Sequence, residues 1–217
     1  MRKRRVHITR TGLQEYTSEL KSNVRPGDII VATYNENGNL FNKIWRKVAY
    51  RAGDYGHMAV VAPETDSGDG LDVIEMTNSR TSRGSIVRTS SIRQFLSQRK
   101  GVIVYRPHCD DETKRAVCDS LREYTEDTNT KFNYRGMGIM FAYELLRDKK
   151  DAVSKYLANR LLRVKKRGEG NFCSSLVLGE YSRNGYTLDT KDPAGAYTYA
   201  HRVGGFDTVK EIYRKSV

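Results

Sequence analysis

Five short apolar runs constrain this chain most: Ile29 to Ala32, His57 to Ala62, Leu71 to Met76, Ile86-Val87 and Val102 to Tyr105. Each is bounded by turn formers and reads as a short strand. Pro26-Gly27-Asp28 turns the chain into the first. Asp66-Ser67-Gly68-Asp69-Gly70 suits a hairpin turn between the second and third, and it lacks the ligand spacing and closing glutamate of a calcium-binding loop. Such strands give a mostly antiparallel sheet.

Helical periodicity falls between and after these runs. Leu40, Phe41, Ile44, Trp45, Val48 and Ala49 share one helical face. Ser90-Ser91 cap a small helix carrying Ile92, Phe95 and Leu96, and a longer helix from Asp110 turns Val117, Leu121 and Tyr124 inward. The stretch from Arg135 to Gly168 reads as amphipathic helix through Phe141, Leu145, Leu146, Tyr156, Leu157, Leu161 and Leu162. The class is α+β, helices packed against one sheet. With 217 residues, 38% of them hydrophobic, and no Pro- or Ser-rich linker, the chain can bury one sizeable core. Residues 1–23 read as a basic amino-terminal arm, 24–217 as the domain, and about 135–168 as a helical insertion within it.

Cys109, Cys118 and Cys173 are odd in number and lack CxxC spacing, so neither a disulfide framework nor a zinc knuckle is indicated and a reducing compartment fits best. Met1-Arg2-Lys3-Arg4-Arg5 has the charge of a secretory leader, but the polar residues after it deny it an apolar segment. No signal peptide and no membrane span is expected, and the location is read as cytoplasmic or virion-associated. The net charge of +12 leaves two readings, contact with a polyanion or a solvated surface. The basic residues gather at Arg2 to Arg5, across Arg80, Arg83, Arg88 and Arg93, and at Arg163 to Arg167, not in one recognition helix.

Cys173 lies in Asn171-Phe172-Cys173-Ser174-Ser175-Leu176-Val177. Gly168 and Gly170 break the chain before it, Asn171 can cap a helix, and Phe172, Leu176, Val177 and Tyr181 recur at helical spacing until Asn184-Gly185. A first-turn cysteine sits where the helix dipole favours a thiolate, as a nucleophile requires, although a cysteine between apolar neighbours also reads as a small core residue. A cysteine nucleophile needs a base and a polar group to orient that base. Of the four histidines, His7 lies in the basic arm, His108 follows a strand-ending proline, and His201 is in a polar C-terminal segment. His57 opens an apolar strand, and Glu75 lies inside the next one, where a carboxylate is costly without a partner. The pair reads either as base and orienting carboxylate, neighbours in a hairpin, or as a strand-end histidine and an edge charge.

The ordered series Arg25-Pro26-Gly27-Asp28-Ile29-Ile30, Asp54-Tyr55-Gly56-His57-Met58-Ala59-Val60-Val61, Val73-Ile74-Glu75, Lys131-Phe132-Asn133-Tyr134 and Phe172-Cys173-Ser174-Ser175-Leu176-Val177 resembles the permuted papain-like cysteine hydrolases, the YiiX/YaeF-like branch of the NlpC superfamily. The resemblance spans roughly residues 24 to 212. It implies a circularly permuted papain-like fold with Cys173 as nucleophile, His57 as base and Glu75 orienting the imidazole. It further implies Tyr55, Phe172 and Ser174 as oxyanion or substrate-lining residues, and no metal or cofactor. Relatives show Pro-Tyr-Asp where this chain has Phe132-Asn133-Tyr134, and Cys-Ser-Glu-Leu where it has Cys173-Ser174-Ser175-Leu176, so the substrate side differs.

The expected activity is a cysteine hydrolase or acyltransferase on amide, ester or thioester bonds, with a peptide-, peptidoglycan- or acyl-lipid-like substrate. A small, basic, reduced chain fits a phage or viral origin, with virion proteins as partners. The alternative is a virion or nucleic-acid-associated structural protein that keeps the papain-like fold. The 135–168 insertion reads as lid, partner surface or core.

Overall fold

The computed structural model describes residues 6–8, 13–33, 55–65, 70–77, 80–99, 101–133, 139, 142, 146, 151–165, 173–186 and 206–214, with the backbone course alone for 6–8, 33, 55–56, 161–165 and 206–214. In chain order the elements are β1 (Val6–Ile8), α1 (Leu13–Asn23), β2 (Ile29–Thr33), β3 (Tyr55–Pro63), β4 (Leu71–Met76), β5 (Val87–Ser91), α2 (Ile92–Ser97), β6 (Gly101–Pro107), α3 (Asp111–Glu126), α4 (Ala152–Lys165), α5 (Cys173–Arg183) and β7 (Phe206–Arg214). The strands form one seven-stranded sheet in the order β1-β7-β6-β2-β3-β4-β5. Every pairing is antiparallel except the parallel one of β1 with β7. The α+β class and the mostly antiparallel sheet agree with the sequence.

Alternation along the strands divides the core into two layers. On one face Ile29, Val31, Met58, Val60, Ile74, Met76 and Ile103 meet Val117, Cys118 and Leu121 of α3 and Leu176, Val177, Leu178 and Tyr181 of α5. On the other face Ile30, Ala32, Ala59, Val61, Val73, Val102 and Val104 meet Tyr16 and Leu20 of α1 and Ile92, Phe95 and Leu96 of α2.

The turn before β2 shows why it needs glycine. Gly27 has φ +85°, and a Cβ there would stand 2.5 Å from Lys114 Cβ. The next residue, Asp28, is fully buried and accepts a forked pair of hydrogen bonds from Arg106 Nε (2.9 Å) and Nη2 (2.7 Å), while Tyr181 Oη donates to Gly27 O. The turn is thereby tied to β6 and to α5.

Several expectations are corrected. The arm assigned to 1–23 is built into the fold from Leu13 onward, because α1 buries Tyr16, Thr17 and Leu20 on one side. The strand expected at Ile86-Val87 runs instead from Val87 to Ser91, and Ser91 alone caps α2, accepting from Gln94 N at 3.2 Å. Within the stretch read as lid, partner surface or core, α4 turns its large apolar residues out: Tyr156 and Leu157 are 60% and 43% exposed with Val153 at 69%, while the small Ser154 and Ala158 are buried. The Arg160 guanidinium lies 5.9 Å from the Tyr156 ring. The helix at 40–49, most of the 66–70 turn, residues 1–5 and His201 lie outside the described residues. Among the described residues no helix is long and apolar enough to cross a membrane.

Candidate active site

Cys173 is the first residue of α5, which ends in a glycine cap: Gly185 has φ +84°, and Tyr186 N donates to Tyr181 O at 3.0 Å. The apolar positions Leu176, Val177 and Tyr181 pin the helix to the sheet and fix where its first residue points. His57 lies near the start of β3. The β3–β4 register runs from Pro63↔Leu71 to Ala59↔Glu75, so His57 stands two residues beyond the last pair. Its side chain falls on the same face as Ala59 and Glu75. At 2.6 Å, His57 Nε2 and Glu75 Oε2 share a hydrogen bond.

The hydrogen-bond direction along β3 explains how α5 reaches this point from the opposite face. Val61 N donates to Asp28 O on the β2 side at 2.9 Å. The N–H groups of Met58, Val60 and Ala62 therefore point toward β4. At Met58 β4 has already ended its pairing, and its N–H donates to the Cys173 sulfur. The Ser174 N–H and the His57 side chain also hydrogen-bond the sulfur.

Glu75 is the hub of the constellation. Its Oε1 accepts from Arg88 Nε (2.8 Å) and Nη2 (2.6 Å), and its Oε2 takes His57 and Arg99 Nη2 at 3.3 Å. Burial alone would raise this carboxyl, but the His57 hydrogen bond and the charges of His57, Arg99 and Arg88 hold it at about 2. An ionised Glu75 accepts the Nε2 proton of His57. The neutral imidazole then carries its lone pair on Nδ1, the nitrogen left for Cys173.

For the Cys173 thiol, burial opposes ionisation, yet the His57 hydrogen bond and charge and the N–H groups of Met58 and Ser174 bring it below the ordinary thiol value. Burial and the Arg99 charge act to lower the His57 value, and the hydrogen bonds to Cys173 and Glu75 outweigh them, leaving it raised. Both directions favour thiolate beside imidazolium. The other thiols go the opposite way: burial raises Cys109, and it pushes Cys118 up to about 11.

Cys173, His57 and Glu75, chosen from sequence, are thus brought together. Ser174 is buried, and what it brings to the sulfur is its backbone N–H. Tyr55 begins β3, its side chain outside the described residues, and Phe172 also lies outside them. His108 is exposed at the far end of β6, where its backbone N–H donates to Tyr186 Oη at 3.1 Å.

Arg88 and Arg99 were not singled out from sequence. Arg88 had been grouped with a basic surface cluster, but its guanidinium is committed to Glu75. The available signal was Glu75 itself, since a carboxylate inside an apolar strand demands a cation. Arg99 follows α2, is 8% exposed, and stacks its guanidinium 5.4 Å from the Phe95 ring. Its charge also acts on Cys173. No protein-family model, curated protein or solved structure matches the chain.

Proposed function

We propose that this protein is a cysteine hydrolase of permuted papain-like type that cleaves or transfers acyl groups through a thioester at Cys173. The observation that carries the reading is the chain of contacts Cys173–His57–Glu75, in which a first-turn thiol, an imidazole and an ionised carboxylate are linked in order. It has the three parts an activated sulfur nucleophile requires: nucleophile, base and a group that sets the base's tautomer.

In this reading His57 Nδ1 takes the Cys173 proton, and the thiolate attacks the acyl carbon. The carbon–sulfur bond forms as the bond to the leaving group breaks, and imidazolium returns the proton to the departing nitrogen, oxygen or sulfur. Water, deprotonated by the imidazole, then releases the acid and restores the thiol. If an alcohol or amine replaces water the same site is an acyltransferase. The substrate is an amide, ester or thioester, of which peptides, peptidoglycan stems and acyl lipids are the proposed classes.

An acyl-enzyme trap tests the reading. Wild-type protein mixed with an activated aryl ester is expected to gain one acyl group on the peptide containing Cys173, read by mass spectrometry, and to lose it with time. Acylation that persists undiminished in Cys173→Ala, or none on Cys173, overturns the assignment.

A further inference from the structure

The sheet's outer edge at β5 lies at the side of a cleft of about 780 Å³. Residues 87–91 line it along their whole length, and the turn at 81–83 and the α3 face bearing Arg122, Glu123 and Glu126 contribute further lining. The register fixes which backbone groups face it. Because the Met58, Val60 and Ala62 N–H groups point to β4, Val60↔Ile74 is a hydrogen-bonded pair; one strand further, Val73↔Ser90 and Glu75↔Arg88 are the hydrogen-bonded pairs. The Thr89 N–H and C=O, the Val87 C=O and the Ser91 N–H therefore point away from β4. Among the described residues no strand lies beyond β5.

The wall chemistry selects the occupant. Arg88 is already paired with Glu75, and Arg83 and Arg122 are offset by Asp72, Glu123 and Glu126, which disfavours a polyanion, while Val87 is the one apolar side chain among the described lining residues, which disfavours an acyl chain. A second copy of β5 is disfavoured as well: two edges must come within about 4.8 Å to pair, and an edge recessed beside α3 on both copies would set the walls against each other. A backbone with alternating donors and acceptors matches the outward groups of β5. We propose that the cleft binds an extended, polar, near-neutral peptide segment that adds to β5 as a further strand. The proposal stands apart from the hydrolase reading, since it concerns binding alone.

Thr89→Pro tests it. The Thr89 N–H points outward, so proline there removes the central rung for an added strand while sparing the pairing with β4. Arg88 is left untouched because it holds Glu75. A randomised pool of acetylated, amidated octapeptides is selected on the immobilised full chain, and the enriched peptides are titrated in solution. Expected is binding that falls at least tenfold in Thr89→Pro, changes less than twofold in Thr89→Val, and is abolished by N-methylation of the peptide at alternate amides only. The methylation pattern is read on wild-type protein and so does not depend on the proline variant folding. No enrichment, equal binding to folded Thr89→Pro, or indifference to methylation overturns the proposal.

Discussion

On the proposed hydrolase reading, replacing Cys173 with alanine is expected to remove turnover of an acyl substrate, by roughly 10⁴- to 10⁶-fold, and to leave the fold in place. The side chain is half-buried at a helix start, so loss of one sulfur costs about 1 kcal/mol or less, within the range of ordinary substitutions. His57→Ala gives a comparable loss, because the thiol then has neither a base nor the hydrogen bond that lowers its value. The double variant falls no further than either single one, since the two act as one unit. Steady-state rates beside thermal melts check this. Retained turnover in Cys173→Ala, or rate losses that multiply in the double variant, contradict the assignment.

The second large effect is on stability. Glu75→Ala is expected to destabilise the protein by about 3–5 kcal/mol, because it strands the buried Arg99 guanidinium and releases Arg88. Glu75→Gln costs less: it keeps the volume, and its carbonyl still accepts from His57 Nε2. Its turnover should fall less than that of His57→Ala, since an amide orients imidazole but does not balance imidazolium. The sign of the pH dependence follows from the Glu75 value, about 2 in the folded chain against an ordinary 4.5. A carboxyl whose folded value is depressed stabilises fully above its unfolded value. That stability is lost as pH falls from about 4.5 toward 2. Urea midpoints measured across this window should drop steeply for wild type and less for Glu75→Gln. Equal slopes, or an unchanged midpoint in Glu75→Ala, would remove Glu75 from the centre of the network.

Much of the site was legible in the sequence because it depends on local patterns. The apolar spacing of Leu176, Val177 and Tyr181 with Asn184-Gly185 behind it marks a helix that must start near Cys173. A carboxylate inside Val73-Ile74-Glu75-Met76 marks a buried charge needing a partner, and strand alternation puts His57 on the same face. What was not legible depends on register and tertiary approach. Nothing local tells Arg88 from Arg83, yet one pairs directly across from Glu75 and the other stands 72% exposed. Arg99 reaches Glu75 from a helix end 24 residues further on. The spacing of Tyr16, Leu20 and Val24 was a helical signal in the supposed arm, masked by the basic run before it. In α4 the apolar pattern left lid, partner surface and core open, and only the fold shows that the small Ser154 and Ala158 are the buried residues while Tyr156 and Leu157 face outward.

Cys109 and Cys173 are both half-buried, so their reactivity toward a small reagent separates environment from access. Alkylation by iodoacetamide, followed peptide by peptide between pH 5.5 and 9 in wild type and His57→Ala, tests the central claim most directly. At pH 7 Cys173 is expected to react about 100-fold faster than Cys109, with Cys118 slower still, and His57→Ala should move its rate profile toward that of an ordinary thiol. A Cys173 rate that matches Cys109 across the range, or a profile that ignores His57, would contradict a thiolate nucleophile paired with imidazole.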